Sequence, residues 1–144
     1  MLEVIIGKEF PDKVIPLINQ AKHSIKICVF DWRWYPNEPG NPVQQFNQAL
    51  IVVFRRGVKV SVITNCQDII EILKKFGINA KHFISSKILH TKLIIIDDQT
   101  VIIGSHNYTQ SAFTMNQEVS CVLSLPLDLS RFVKYFDNIF SVYG

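Results

Sequence analysis

The sequence predicts an α/β fold, a mixed β-sheet sandwiched between helices, and three observations lead there. Short β-rich runs alternate with helical stretches along the whole chain, the pattern that places helices on both faces of one sheet. Apolar residues make up 48% and charged residues 19%, the balance of a chain that buries a core and does not stay disordered. The 144 residues suit one domain spanning 1–144, and no linker, low-complexity stretch or internal repeat divides them.

The elements follow in order. Leu2 to Ile6 reads as a strand, and Asp12 to Lys22 as a helix with Val14, Ile15, Ile18 and Ala21 on one face. Pro16 inside that stretch predicts a late start or a bent first turn. Ser24 to Phe30 alternates Ile25, Ile27 and Val29 with other residues and reads as a strand. Asp31 to Pro42, with its prolines and glycine, is a loop, and Pro42 opens a helix that runs to about Arg56 and stops at Gly57. Val58 to Thr64 is a strand, Gln67 to Phe76 a helix closed by Gly77, and Ile78 to Ile84 a strand. Lys92 to Ile96 and Val101 to Ile103 form strands joined by a turn over Asp97 to Thr100. Glu118 to Leu123 is a further strand. Pro126 opens a last helix whose stripe is Leu129, Phe132, Val133, Phe136, Ile139 and Phe140.

Residues 88–109, ILHTKLIIIDDQTVIIGSHNYT, carry the chemistry. His90 and Lys92 are two apart where a strand starts, so their side chains share one side of the sheet. If the two strands that follow pair as a hairpin, the turn Gly104-Ser105-His106-Asn107 comes back beside His90. Lys92, Ser105 and Asn107 are hydrogen-bond donors suited to the non-bridging oxygens of a phosphate. A histidine has both protonation states within reach near neutrality, so His90 can serve as nucleophile or proton donor. Phosphoryl transfer needs such a set because negative charge gathers on the equatorial oxygens.

The run H-x-K-x(4)-D at His90, Lys92 and Asp97, followed by G-S-x-N, resembles the HKD signature of the phospholipase D superfamily, and the likeness extends along the whole chain. It implies the phospholipase D/nuclease fold. It also implies that His90, Lys92, Ser105 and Asn107 are catalytic, that Glu118 holds the histidine, and that Asp97 and Gly104 support the motif. The family's mechanism uses two histidines, one attacking phosphorus and one protonating the leaving oxygen, without metal or other cofactor. This chain has a single motif copy, so the resemblance implies a homodimer whose site is shared across a two-fold axis. His106 stands between Ser105 and Asn107, where a small residue is common, and is expected to narrow the site or add a donor. Trp32 and Trp34, with Tyr35, are candidates for a base-stacking platform. No carboxylate or His cluster of ligand spacing lies beside His90, and no metal site is expected.

Net charge is +3, but residues 55–92 hold eight Lys and Arg against Asp68 and Glu71, which favours a nucleic acid partner, DNA or RNA. The expected activity is therefore that of a metal-independent nuclease. The alternatives are a lipid phosphodiesterase, which would want an exposed apolar surface, and a non-catalytic nucleic-acid-binding module, which the intact His90, Lys92 and Asn107 disfavour. A partner such as a helicase or restriction subunit leaves no signature in the residues. Cys28, Cys66 and Cys121 lie far apart without CxxC spacing, which argues for buried thiols and against disulfides or structural zinc. The start MLEVIIGKEF lacks the features of a secretory signal, and no apolar run is long enough to span a membrane, so the expected location is cytoplasmic.

Overall fold

Leu93–Ile96 is buried along its whole length, on both faces, and the architecture follows from that two-sided burial. In the computed structural model, which describes Met1–Gly144, the strands are β1 (Leu2–Ile6), β2 (Ser24–Val29), β3 (Lys59–Thr64), β4 (Asn79–His82), β5 (Leu93–Ile96), β6 (Thr100–Gly104) and β7 (Val119–Ser124). The helices are α1 (Phe10–Asn19), α2 (Pro42–Arg55), α3 (Gln67–Lys75), α4 (Gln110–Thr114) and α5 (Ser130–Tyr143). One seven-stranded sheet has the order β1-β7-β6-β5-β2-β3-β4. β2, β3 and β4 run parallel, and the other neighbouring pairs are antiparallel, so the sheet is mixed as expected.

Ile94 and Ile96 point to the face covered by α1 to α4, where Phe46, Leu50, Ile70 and Phe113 complete the larger core. Leu93 and Ile95 point the other way, onto a smaller core that Leu129 and Phe136 close from the α5 side. No helix is long and apolar enough to cross a membrane.

Several bounds differ from expectation. α1 starts at Phe10, because Pro11 fits the first turn of a helix, and the last helix starts at Ser130, not Pro126. Leu127 first turns back to donate to the Ser124 carbonyl, and the Asp128 carboxylate then accepts the Ser130 N–H at 3.0 Å. β4 is shorter than expected, and β5 begins at Leu93, so His90, Thr91 and Lys92 precede the ladder. α4 was not expected: five residues are too few to show a periodic stripe, and it is held by Thr109 Oγ1 accepting the Ala112 N–H. All three cysteines are free; Cys28 is buried, while Cys66 and Cys121 are only half-buried.

Candidate active site

β5 is antiparallel to both of its neighbours, with Leu93 opposite Cys28 on β2 and Ile103 on β6. The start of β5 therefore meets the ends of β2 and β6. Gly104 pairs with Ser120, which brings the start of β7 to the same edge. His90, Lys92, Ser105, Asn107 and Glu118 all lie along that one end of the sheet. It is also the carboxyl end of the parallel strands β2 and β3, where open α/β sheets build their sites.

The contacts are specific. Lys92 Nζ lies 3.1 Å from His90 Nδ1 and 3.3 Å from Nε2, and the His90 ring sits 5.0 Å from that of Phe30. Ser105 Oγ donates to Glu118 Oε1 at 2.5 Å and accepts the Val119 N–H at 3.0 Å. Glu118 Oε2 accepts from the Asn116 side chain at 3.1 Å. Asn107 Oδ1 accepts the Asp31 N–H at 3.1 Å, so its amide nitrogen is left as the free donor. Burial holds the Lys92 ammonium below its ordinary pKa, and the negative charge of Glu118 opposes that shift. His90 is exposed and borders a shallow depression of about 190 Å³ that Lys87 also lines.

Gly104 serves the motif by its missing side chain. A Cβ there would run into the backbone and hydroxyl of Ser120, so only glycine lets β7 close onto the end of β6 and carry Glu118 to Ser105. Glu118 meets Ser105 and not His90, contrary to expectation. The β6–β7 register sets the two side by side, while His90 turns toward Lys92.

Asp97 lies at the opposite end of β5. Its carboxylate accepts the backbone N–H groups of Lys22 (3.0 Å), His23 (2.7 Å) and Ser24 (3.0 Å), and so clamps the loop that enters β2. Burial alone would raise this carboxyl, but the three donors outweigh it and hold its pKa below the ordinary value. The supporting role reaches beyond the turn into a neighbouring loop.

Trp32 and His106 are not where a ligand could touch them. Trp32 is 1% exposed, in the larger core, with Nε1 donating to Asn47 Oδ1 at 2.7 Å. His106 is also 1% exposed, stacked on Phe10 at 4.5 Å. Its Nε2 donates to the Gly7 carbonyl at 2.8 Å, which leaves Nδ1 to accept from the Ser120 hydroxyl at 2.7 Å. Burial lowers its pKa, against the opposing pull of the Gly7 carbonyl. Both residues brace the site from inside. Trp34 is half-buried and faces a groove next to it.

Two residues that the sequence did not single out also brace the site. Asn65 Nδ2 donates to the Leu89 carbonyl at 2.8 Å and so fixes the peptide before His90. Asp31 holds Asn107 as above. Asn65 directly follows the parallel strand β3, and Asp31 lies two residues past the end of the parallel strand β2, which is the available signal for a site-edge residue. The basic segment is divided: Lys87 and Lys92 stand at the site, whereas Arg55, Arg56, Lys59 and Lys74 sit toward the opposite end of the sheet, where Arg56 binds the Asn19 and Ala21 carbonyls.

The family described as "Cardiolipin synthase, PLD-like domain" matches residues 14–141. Among curated proteins, a mitochondrial cardiolipin hydrolase of Canis lupus familiaris is 26% identical over 144 residues, covering 96% of this chain and 53% of that protein. This chain thus spans about half the length of the curated relatives it matches. Two solved structures share the fold. Nuc from Salmonella typhimurium, a phospholipase D family member, has a TM-score of 0.82 at 23% identity and covers 100% of this chain and 97% of that one. NucT from Helicobacter pylori has a TM-score of 0.80 at 22% identity, covering 99% and 97%. With the motif residues gathered at one sheet end and the family matched over nearly all of its length, the chain is a member of the phospholipase D superfamily.

Proposed function

We propose that this chain is a metal-independent phosphodiesterase acting on nucleic acid, through a covalent phosphohistidine, in a site shared between two copies. The observation that carries it is the convergence of His90, Lys92, Ser105, Asn107 and Glu118 on one sheet end. A ring nitrogen of His90 attacks phosphorus, forming an N–P bond as the bond to the leaving oxygen breaks. The partner's His90 gives that oxygen its proton. The same imidazole then takes a proton from water, whose oxygen attacks phosphorus and frees His90. Lys92 and the Asn107 amide donate to the non-bridging oxygens and supply the charge stabilisation that metal ions provide elsewhere. The Ser105–Glu118 pair sets the rim. His90 stands at the surface above a shallow depression, which suits a large substrate better than an enclosed metabolite.

The shared site draws support from the sheet. α5 alone covers its face, and β1 lies outside its reach: Leu2, Val4 and Ile6, on that face, are 64%, 49% and 59% exposed. Ile6 pairs with Val119, itself 57% exposed and next to Glu118, so the bare apolar strip runs into the site. Two copies meeting on it would set the site ends of their sheets next to each other.

A second reading, a lipid phosphodiesterase, is favoured by the curated relatives named cardiolipin hydrolases and by Ile88, 71% exposed beside His90, with Ile84, also 71% exposed, four residues before it in the chain. That exposed apolar surface was not evident in the sequence. One assay separates the readings. With EDTA present, the protein is given single-stranded DNA, duplex DNA, RNA, bis(p-nitrophenyl) phosphate and cardiolipin vesicles. Nucleic acid should be cut, and His90→Ala should abolish turnover. Activity that disappears in EDTA and returns with magnesium would overturn the mechanism, and cleavage of cardiolipin alone would establish the lipid reading.

A further inference from the structure

The chain leaving β2 past Asp31 folds back over α3, and between them runs a groove of about 740 Å³. Trp34 and Pro36 form one wall. Gln67, Asp68, Glu71 and Lys75, spaced along one side of α3, form the other. The inner end lies at Cys66, whose Sγ is 3.6 Å from the Asp31 carboxylate and which follows Asn65 in the chain. The groove thus begins beside the residues that hold Asn107 and the peptide before His90. Its volume falls in the range of about 300–1,000 Å³ that encloses a small ligand.

The lining selects the occupant. Asp68 and Glu71 are in no ion pair of the chain and, with Gln67, make the half of this wall nearer Cys66 an acceptor surface, with Lys75 at its far end, so it suits a hydrogen-bond donor better than an acyl chain. Trp34, half-buried and packed 5.9 Å from Phe76, offers a fixed aromatic plane. A nucleobase matches both: a flat face to stack, and an edge whose exocyclic amine donates to carboxylate or amide oxygens. At the rim nearest the site, Arg33 is paired with Asp31 at 3.0 Å, which fixes its guanidinium while 62% of the side chain stays exposed toward the backbone of the same strand.

Building on the nucleic acid reading, we infer that this groove receives an unstacked base of a nucleotide flanking the scissile phosphate, and that it prefers bases carrying an exocyclic amine. Cytosine and adenine present that donor, whereas thymine presents a carbonyl in its place.

The test is fluorescence anisotropy with the uncleaving His90→Ala protein and labelled single strands of oligo(dC), oligo(dT) and an abasic oligomer. Oligo(dC) should bind tightest. Adding Trp34→Ala should weaken it by about 5- to 160-fold, the range for loss of one base–aromatic stack. Trp34→Phe keeps a ring and should retain most of the affinity. Asp68→Ala with Glu71→Ala, on the exposed helix surface, removes both acceptors and should close the gap between oligo(dC) and oligo(dT). Equal binding of oligo(dC) and the abasic strand, or unchanged oligo(dC) binding by a folded Trp34→Ala protein, overturns the groove. So does a Trp34→Ala defect confined to cardiolipin vesicles. If wild type cuts DNA while these results hold, only the groove fails. If it hydrolyses bis(p-nitrophenyl) phosphate but neither binds nor cuts any nucleic acid, the nucleic acid reading fails and the groove with it.

Discussion

Asn65 has no proton to give the reaction, yet its amide decides where His90 stands. Leu89 is buried, and the 2.8 Å bond from Asn65 to its carbonyl ties the end of β3 to the residue before the histidine. In the proposed mechanism, removing that bond loosens the nucleophile but leaves Lys92 and Asn107 to bind phosphate. Asn65→Ala is therefore expected to lower kcat by about 10- to 100-fold with KM nearly unchanged, since a misplacement of about 1 Å can cost that much. A comparable rise in KM with kcat intact would place Asn65 in substrate binding instead. His106 makes a different prediction. Its buried imidazole has a lowered pKa, so the unfolded chain binds the proton more readily than the folded one. The stability it contributes is complete above the unfolded value of about 6.5 and is lost as pH falls toward the lowered folded value. Denaturant midpoints measured from pH 8 to 5 should fall across that window, and His106→Gln should flatten the slope. A mutant that keeps the same slope would assign the titration to another group.

Elements explain why some of the site could be read from the sequence and some could not. His90, Lys92, Gly104, Ser105 and Asn107 fall within one hairpin, so their meeting needs only the β5–β6 pairing that alternation and the turn already predict. Glu118 needs one further neighbour, β7. Asn65 and Asp31 act across strands separated by tens of residues, and their partners are backbone carbonyl and side-chain atoms with no local spacing to betray them. Trp32 and His106 misled for the converse reason. Their side chains suit ligand contact, but burial is decided by α2, Phe10 and Gly7, which no neighbouring residue announces. Asp97 shows the same split within one residue: its place in a turn is evident, while its hold on residues 22–24 belongs to the sheet. Asp97→Asn keeps a residue that tolerates the turn's positive φ of 54° but removes the charge from three hydrogen bonds. It should cost about 1–2 kcal/mol at pH 7. Because the native carboxyl titrates below its ordinary value, that difference should persist above about pH 4 and shrink as pH falls through the lowered native value. A constant difference down to pH 2 would mean that shape, not charge, made the clamp.

At the scale of the molecule, the sheet is unevenly covered, and the uneven part borders the chemistry. α1 to α4 seal one face, whereas α5 leaves Leu2, Val4, Ile6 and Val119 in solvent beside Glu118. If this strip is the contact between copies, Val4→Glu puts a charge at its middle without touching the core, and sedimentation should show a folded monomer that has lost turnover. Subunit exchange separates a shared site from mere association. Suppose each site needs both histidines. Then a dimer of one wild-type and one His90→Ala chain has a single imidazole and cannot both attack and protonate. Equal mixing leaves about a quarter of the dimers fully wild type, so activity per wild-type chain should fall to roughly half. Were each chain complete by itself, the mutant would be a bystander and activity per wild-type chain would stay constant. Mixing with Val4→Glu supplies the control: a chain that cannot associate should leave wild-type activity unchanged, so a loss confined to the His90→Ala mixture can come only from exchanged dimers. A Val4→Glu monomer that cleaves at the full wild-type rate would show that one His90 suffices.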